Sequence, residues 1–386
     1  MKIFHTADWH LGKVLQGVSL IEEQRFVLKQ FTDAVEKEKP DVVILAGDLY
    51  DRSVPPAEAV SLLDEVLWKL TVDYNTPVLA IAGNHDSPAR LQFGSRLMEA
   101  NGLHLVGKPT DEGNGTTVQI EDEDGPVQFH LIPFVDPSVI RNLSGNDSID
   151  SHHRAMESII SAYGELDPSS RHVAIAHAFI TPGGEPEENT SDSERPLAIG
   201  GAEYVASDLF RTFNYTALGH LHQAHFVGDE TIRYSGSPMK YSISEERHQK
   251  GFLVVTLDKS GNVEIEKRTL TQKRDIRTVK AKMDEILTSE PSEDYVFVKL
   301  LDEAPVLFPM EKVRTVFPNA MHVERVVNRN LSAETTSRVS DIERLDDRAL
   351  FRSFYEEVTG NTPDQETENI VEEVLQELMT KQGESE

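Results

Sequence analysis

The first 270 residues alternate short apolar runs with longer stretches whose apolar positions recur at helical spacing. The apolar runs are mostly continuous and rich in Val, Ile and Leu, which is typical of strands buried within a layered core. They predict strands at Lys2–Thr6, Asp41–Ala46, Val78–Ala82, Val127–Ile132, His172–His177, Tyr215–Leu218 and Phe252–Leu257. Residues 21–37, 57–70 and 88–100 are predicted helices. This alternation predicts a layered α/β core.

Two polar segments, Asp111–Gly125 and Gly183–Pro196, are predicted to be exposed loops. The second follows a predicted strand that ends in histidine, so it could form a lid over a site. A solvated insertion is the commoner role of such a segment, and the sequence leaves both open.

The chain beyond residue 270 has a different pattern of predicted elements. Residues 271–330 predict a small α+β domain, with a helix at Val279–Leu287, a strand at Tyr295–Leu301, the segment Pro309–Val316 and a strand at Met321–Val327. Within residues 331–386, a polar linker precedes two amphipathic helices. The first is closed by Gly360 and the second opens after Thr362-Pro363. Their apolar stripes either pack on their own domain or bind a partner, and their distance beyond a linker favours a partner.

Composition limits the possible classes of protein. The chain has 386 residues and no cysteine, which excludes disulfides, thiolate zinc sites and cysteine nucleophiles. It has no apolar run long enough to span a membrane, and its first residues lack the pattern of a signal peptide. These features favour a cytoplasmic protein.

Metal-type ligands follow five of the predicted strands. Asp8 and His10 follow the first, Asp48 and Asp51 the second, Asn84, His85 and Asp86 the third, His177 ends the fifth, and His220 and His222 follow the sixth. Ligands bind outside the carboxyl ends of strands in α/β sheets, so these side chains could meet in one crevice. Imidazole and carboxylate groups together suit Mn, Fe or Zn. Asp48 is placed to bridge two ions, which could together support phosphoryl chemistry.

Each motif alone is weak evidence, because a single D-x-H turn or strand histidine is more often structural. In order, however, D-x-H, G-D-x-x-D, G-N-H-D, a strand-terminal His and G-H-x-H resemble the calcineurin-like metallophosphoesterase superfamily. The segments HTADWHLGK, AGDLYDRSVPP, IAGNHDS, ALGHLHQ and YSGSPMKYSISE are similar to its bacterial SbcD family of nuclease subunits. The resemblance covers about residues 1–360. It implies a two-sheet sandwich flanked by helices over residues 1–270, followed by a capping domain and a helical tail.

The resemblance also implies a site for two divalent ions, Mn²⁺ foremost, with Mg²⁺, Fe²⁺ or Zn²⁺ as alternatives. One ion would be held by Asp8, His10, Asp48 and His222, and the other by Asp48, Asn84, His177 and His220. His85 would assist the leaving oxygen or stabilise phosphate charge. Asp51 would orient His85, whereas some relatives carry histidine at that position. The turn Tyr234–Ser237 would lie near the site, or be only a turn.

The implied activity is that of a DNA nuclease subunit. It would act as an exonuclease on duplex ends and an endonuclease on hairpin or single-stranded DNA, in repair and recombination at the nucleoid. Its partner would be the SMC-like ATPase SbcC, bound through the C-terminal helices. Helices 57–70 and 88–100 would form a homodimer, giving a heterotetramer with the ATPase.

The net charge of −28 counts against DNA binding by the whole surface. Residues 272–330 are nevertheless neutral, with ten basic and ten acidic residues, and two bound ions would add about four positive charges locally. The acidity indicates that a partner supplies much of the DNA affinity.

Two alternative functions remain: a small-molecule, nucleotide or protein phosphoesterase with the same chemistry, and a DNA-end scaffold with a vestigial site. The capping domain and tail argue against the first, and the full ligand set argues against the second.

Overall fold

The computed structural model describes residues 1–183, 204–326, 351–352, 355–356, 359 and 361–383. The chain divides into two compact units, Met1–Ile276 and Arg277–Glu386. The predicted loop beyond Gly183, the predicted linker at 331–340 and Gly360 lie outside the described residues.

Strands and helices alternate along the chain. The described strands are β1 Lys2–Thr6, β2 Val14–Leu15, β3 Val18–Ser19, β4 Val42–Leu45, β5 Val78–Ile81, β6 Leu103–Val106, β7 Thr116–Asp122, β8 Gly125–Ile132, β9 Arg171–His177, β10 Phe179–Thr181, β11 Tyr204–Ala206, β12 Tyr215–Gly219, β13 His225–Val227, β14 Asp229–Tyr234, β15 Gly251–Leu257, β16 Val263–Thr269, β17 Ile276–Ala281, β18 Tyr295–Leu300 and β19 Ala320–Arg325. The described helices are α1 Ile21–Glu38, α2 Ala57–Trp68, α3 Pro88–Gln92, α4 Ser95–Met98, α5 Pro137–Ser144, α6 His152–Ser161, α7 Met283–Leu287, α8 Pro309–Arg314 and α9 Gln365–Gly383. All seven strands predicted for the first 270 residues are present.

Two six-stranded sheets form the centre of the first unit. The first has the order β16-β15-β1-β4-β5-β6, in which β1, β4, β5 and β6 run parallel. The second has the order β13-β14-β12-β9-β8-β7, in which β14, β12, β9 and β8 run parallel. The carboxyl ends of the parallel strands in each sheet therefore lie along one edge, which is where α/β sheets place ligands.

One apolar core draws on both sheets, and a second covers the outer face of the second sheet. Ile44 of β4 and Ile175 of β9 belong to the core shared by the two sheets. Ala174, next to Ile175, packs instead with Met156 of α6. On the first sheet, Phe31 of α1 packs against the Phe4 ring of β1 at 6.3 Å between centroids. The central strands of both sheets are thus covered on both faces, and the predicted two-sheet sandwich with flanking helices is confirmed.

The prediction of a loop over Asp111–Gly125 was wrong in its second half, because Thr116–Asp122 is strand β7. β7 pairs antiparallel with β8, and Val118 and Ile120 pack against the shared core. The neighbouring Gln119 and Glu121 are exposed. The period-two alternation of an edge strand was present in the sequence but was obscured by the acidic turn beside it.

Two helix predictions also need correction. Residues 88–100 form two short helices, α3 and α4, because the chain turns at Gly94, whose φ is +76°. In the second unit, the helix predicted at Val279–Leu287 begins only at Met283, and Ile276–Ala281 is strand β17. The sheet β17-β18-β19 and helices α7 and α8 share a small core that includes Val298 and Val313.

Most of the described part of the C-terminal segment is helical, namely residues 351–352, 355–356, 359 and 365–383. The rings of Phe351 and Tyr355 lie 5.8 Å apart, and α9 begins after Asp364, whose side chain accepts a hydrogen bond from the Thr367 amide at 2.8 Å. This is the geometry of an N-cap, and it stabilises the first turn of α9. The helix therefore begins two residues after Pro363, where the sequence had predicted its start. None of the helices in the described ranges is long and apolar enough to cross a membrane.

Candidate metal centre

Ends of five strands from both sheets meet at one place. β1, β4 and β5 of the first sheet lead into Asp8, Asp48 and Asn84, whereas β9 ends at His177 and β12 leads into His220. The two sheets are joined here through a polar contact, since the His220 amide donates to Oδ1 of Asp8 at 2.9 Å. The structure therefore brings the predicted residues of all five motifs together in one crevice.

The first group contains Asp8, His10 and His222, which are all buried. Nε2 of His10 lies 3.0 Å from Nε2 of His222. Oδ2 of Asp48 lies 3.6 Å from Nε2 of His10. The ligand atoms of Asp8, His10 and His222 all lie within 4.8 Å of one another, close enough to share one cation. Those of Asp8, Asp48 and His177 meet the same condition.

The second group surrounds the amide oxygen of Asn84. Oδ1 of Asn84 lies 2.9 Å from Nε2 of His177 and 3.3 Å from Nδ1 of His220. Oδ2 of Asp48 lies 3.5 Å from Nε2 of His177. The same carboxylate oxygen of Asp48 thus lies within reach of both groups, where a bridging ligand would be needed.

The hydrogen bonds around these histidines fit a bound cation. Nδ1 of His177 lies 2.9 Å from the backbone carbonyl of Ala46, an acceptor, so this nitrogen carries the proton and Nε2 presents a lone pair. That lone pair faces the oxygen of Asn84, so two acceptors are held against each other. Nδ1 of His222 likewise lies against the Glu245 carboxylate at 3.0 Å, which leaves Nε2 of His222 as an acceptor. Acceptors gathered in this way are satisfied by a metal ion.

Burial strengthens this conclusion. It lowers the pKa of His177, and it holds the pKa values of His10 and His220 well below the usual range for histidine. Neutral imidazole is the form that binds metals. Within the described residues, Nδ1 of His10 is also buried without a hydrogen-bond partner.

The backbone of the site is strained. Four residues of the site have positive φ values, which residues other than glycine rarely adopt. They are Asp8 at +56°, His10 at +43°, Asp48 at +53° and His220 at +111°. Such conformations cluster at functional sites, where the surrounding structure offsets their cost.

A glycine precedes Asp48, Asn84 and His220, and in each case the reason is close approach. A Cβ atom on Gly47 would lie 2.2 Å from Nδ1 of His177. A Cβ atom on Gly83 would lie 2.1 Å from Oδ1 of Asp48, and one on Gly219 would lie 1.9 Å from the Ala46 carbonyl oxygen. No larger residue fits any of these positions without moving a predicted ligand or the strand end beside it.

His85 lies next to both groups, and its contact with Asp51 differs from the predicted one. Nδ1 of His85 lies 2.7 Å from the backbone carbonyl oxygen of Asp51. The Asp51 carboxylate instead pairs with Lys13 at 2.9 Å. Asp51 therefore orients His85 through its main chain, while its side chain neutralises a lysine beside the site. A sequence motif shows which side chains are present, but it could not show that a backbone carbonyl makes the contact expected of the carboxylate.

Two residues that shape the site, Asp86 and Gln24, had no role assigned from the sequence. The Asp86 carboxylate accepts the amides of Leu49, Tyr50 and Gly83 at 2.9–3.1 Å and so fixes the loop after β4. Burial and the nearby Asp48 carboxylate raise the pKa of Asp86 to about 7. Gln24 of α1 is buried and donates to the His10 carbonyl oxygen at 2.7 Å. Asp86 stood within the G-N-H-D motif, but Gln24 had no signal beyond a polar residue on the buried face of α1.

The turn Tyr234–Ser237 lies against the site. The Ser237 amide donates to the His222 carbonyl oxygen at 3.2 Å, and the Ser235 amide donates to that of Leu218 at 3.4 Å. Of the two interpretations that the sequence left open, the structure supports proximity to the site.

The chain is similar in sequence to known proteins. Residues 1–224 match the model of the calcineurin-like phosphoesterase family, and residues 272–359 match a model described as the type 5 capsule protein repressor C-terminal domain. A curated relative, the SbcD component of the nuclease SbcCD from Staphylococcus epidermidis, is 33% identical over 99% of this chain and 100% of its own length.

Solved structures resemble the chain more distantly. A dimetal phosphatase from Danio rerio is 14% identical with a TM-score of 0.43, covering 70% of this chain and 96% of its own. GAP50, the anchor in the inner membrane complex of Plasmodium, is 12% identical with a TM-score of 0.38, covering 84% of this chain and 97% of its own. Scores this low add nothing to the functional argument.

Proposed function

Because this chain belongs to the calcineurin-like phosphoesterases, and among them to the SbcD family of nuclease subunits, we propose that it is a metal-dependent DNA nuclease subunit. The observation that carries the proposal is the meeting of five strand ends in one crevice lined by histidine, carboxylate and amide ligands. The reaction would be hydrolysis of a phosphodiester bond.

Two divalent ions would occupy the crevice, most favourably Mn²⁺. Asp8, His10 and His222 would hold one, Asn84, His177 and His220 the other, and Asp48 would contact both. When bound, such a pair supplies the positive charge that activates water and neutralises the phosphoryl oxygens. The absence of cysteine and the borderline character of the ligands support Mn²⁺, with Mg²⁺, Fe²⁺ and Zn²⁺ as alternatives.

His85 would act on the leaving 3′ oxygen. Its Nδ1 proton is committed to the Asp51 carbonyl, so Nε2 is the atom available to the substrate. Its backbone amide donates to Oδ1 of Asp48 at 2.9 Å, which couples its position to the proposed bridging ligand. Asp51 would support His85 through its carbonyl and keep Lys13 beside the phosphate-binding region.

Double-stranded DNA ends and hairpin or single-stranded DNA would be the substrates, handled at the nucleoid in the cytoplasm. Residues 271–330 would cap the substrate and contact its phosphates through lysine and arginine side chains. The chain's overall acidity favours an arrangement in which an SbcC-type ATPase supplies further DNA affinity.

Exposed apolar side chains support two protein interfaces. Phe93 and Leu97, on the segment that carries α3 and α4, are 82% and 81% exposed, and they support the predicted homodimer. Ile370 and Val374 lie one turn apart on α9 and are 57% and 51% exposed. They support docking of the C-terminal helices on the ATPase in a heterotetramer, by helix-in-groove packing.

A direct assay separates this function from that of a small-molecule or nucleotide phosphodiesterase. Purified protein is incubated with linear duplex and hairpin DNA and Mn²⁺, with and without a chelator, and bis-p-nitrophenyl phosphate is tested in parallel. We expect chelator-sensitive cleavage of both DNA substrates. Hydrolysis of the small ester without DNA cleavage, even after addition of the ATPase, would contradict the nuclease assignment.

A further inference from the structure

A buried ion pair lies directly behind His222. Glu245 is fully buried and Lys250 is 4% exposed, and Oε2 of Glu245 lies 2.5 Å from Nζ of Lys250. Charged side chains are seldom buried to this degree, because removal from water is costly unless each charge is paired and hydrogen-bonded. Both charges of this pair have further hydrogen-bond partners, which offset that cost.

The pair contacts His222 at two points. Oε1 of Glu245 lies 3.0 Å from Nδ1 of His222, and Nζ of Lys250 donates to the His222 carbonyl oxygen at 2.8 Å. Nζ of Lys250 also donates to Oγ of Ser237 at 2.8 Å, and the Ser237 amide donates to the same His222 carbonyl. Both the imidazole and the backbone of His222 are therefore fixed.

Glu245 is itself held by its surroundings. Its carboxylate accepts the Tyr241 amide at 3.3 Å and the Ser242 hydroxyl at 3.4 Å. The short helical turn Ile243–Glu245 sets the direction from which the side chain enters. The carboxylate has no freedom to turn away from His222 without breaking several hydrogen bonds at once.

The two proposed ion sites differ in the charge of the group that is hydrogen-bonded to Nδ1 of their histidine. The corresponding support for His177 is a neutral carbonyl, that of Ala46 at 2.9 Å. A carboxylate hydrogen-bonded to an imidazole raises the basicity of the nitrogen on the far side of the ring and fixes the tautomer that binds metal. His222 thus has a charged partner, Glu245, where His177 has a neutral one.

We propose that Glu245, held in place by Lys250, is a positioning residue that fixes the tautomer and orientation of His222 and selectively strengthens the ion site of Asp8, His10 and His222. This inference deepens the proposed function and rests on it, because His222 must be a metal ligand. It predicts that loss of the Glu245 charge weakens one ion and spares the other.

The test is a titration of the metal-free protein with Mn²⁺. Calorimetry measures the binding, and electron paramagnetic resonance measures the free Mn²⁺. Wild type, Glu245→Gln and the exposed control Glu230→Gln are compared. We expect two ions in all three proteins, with one dissociation constant raised about 10–100-fold in Glu245→Gln only. Equal affinities in Glu245→Gln and wild type, or equal weakening of both ions, would overturn the proposal.

The outcomes also separate this inference from the proposed function. If wild type binds no pair of ions, the proposed function fails; if it binds two and Glu245→Gln matches it, only the role of Glu245 fails. Should Glu245→Gln not fold, ¹⁵N-histidine spectra of the metal-free wild-type protein give the answer, with the His222 signal identified by its loss in His222→Gln. A proton on Nδ1 of His222 is expected, and a proton on Nε2 would overturn the proposal.

Discussion

Oδ1 of Asn84 lies 2.9 Å from Nε2 of His177, so the ends of β5 and β9, which belong to different sheets, meet at one point. Both atoms are acceptors once Nδ1 of His177 donates to the Ala46 carbonyl. Two acceptors at this distance repel each other unless a cation lies between or beside them. The contact therefore links the stacking of the two sheets to the binding of a metal ion.

Removal of the Asn84 amide should remove one ion. We expect Asn84→Ala to bind one Mn²⁺ instead of two, because His177 and His220 lose the oxygen that lies beside both. Equilibrium dialysis with metal analysis measures the stoichiometry. Asn101→Ala, at an exposed position, is the matched control and should keep both ions. Full occupancy in Asn84→Ala would contradict the proposed ligand set.

His85 should matter for cleavage and not for metal binding. His85→Ala is expected to slow DNA cleavage by about 10²–10⁴-fold, the usual contribution of a general acid or base. Metal content should stay at the wild-type value, since His85 is proposed to act on the substrate. Single-turnover cleavage and metal analysis of the same sample give both quantities. Loss of both ions in His85→Ala would show that it is a ligand instead.

The parts of the fold that the sequence predicted are those with a strong local pattern. Continuous apolar runs marked the buried strands, since such strands are apolar on both faces. β7 was missed because its alternation, with Val118 and Ile120 inward, is weak beside an acidic turn. The break at Gly94 was missed because glycine within a helical pattern often causes no break.

The residues of the site were recognisable because they stand at strand ends in a specific order. What the sequence could not show is which atoms meet. The Asp51 carbonyl, and not its carboxylate, contacts His85, and no spacing links Glu245 to His222. These contacts depend on the path of loops between the sheets, which has no local periodicity. The roles of these residues as ligands and catalysts remain predictions.

Acid should destabilise the first unit through His5. Burial lowers the pKa of His5 to about 3, while its side chain is held between the Tyr215 hydroxyl and the Leu218 carbonyl. Below about pH 6.5 the unfolded chain takes up a proton that the folded protein excludes. The free energy of unfolding should therefore fall as pH drops from 6.5 towards 3, by at most about 1.4 kcal/mol per pH unit from this group.

Urea unfolding of the metal-free protein between pH 7.5 and 4.5 measures this effect. Both tryptophans, Trp9 and Trp68, lie in the first unit, so fluorescence reports its unfolding. The comparison is between wild type and His5→Asn, because other buried histidines titrate in both proteins. The variant should show the smaller pH dependence, and an equal dependence would show that His5 does not contribute.

The exposed stripe on α9 should serve binding and not catalysis. Ile370→Asp combined with Val374→Asp should abolish co-purification with the SbcC-type ATPase, because a charge in an apolar groove is left unpaired. Hydrolysis of bis-p-nitrophenyl phosphate should be unchanged. Glu373→Gln, on the same exposed part of α9, is the control and should keep the partner. A complex that survives the double substitution would place the interface elsewhere.

The central claim is that five strand ends create one site for two ions. Anomalous diffraction from crystals grown with Mn²⁺ tests it most directly, because it locates the ions without reference to activity. We expect two peaks about 3.5–4 Å apart. One should lie beside Asp8, His10 and His222, and the other beside Asn84, His177 and His220, with Asp48 contacting both. Peaks remote from these side chains, or none at full Mn²⁺ saturation, would contradict it.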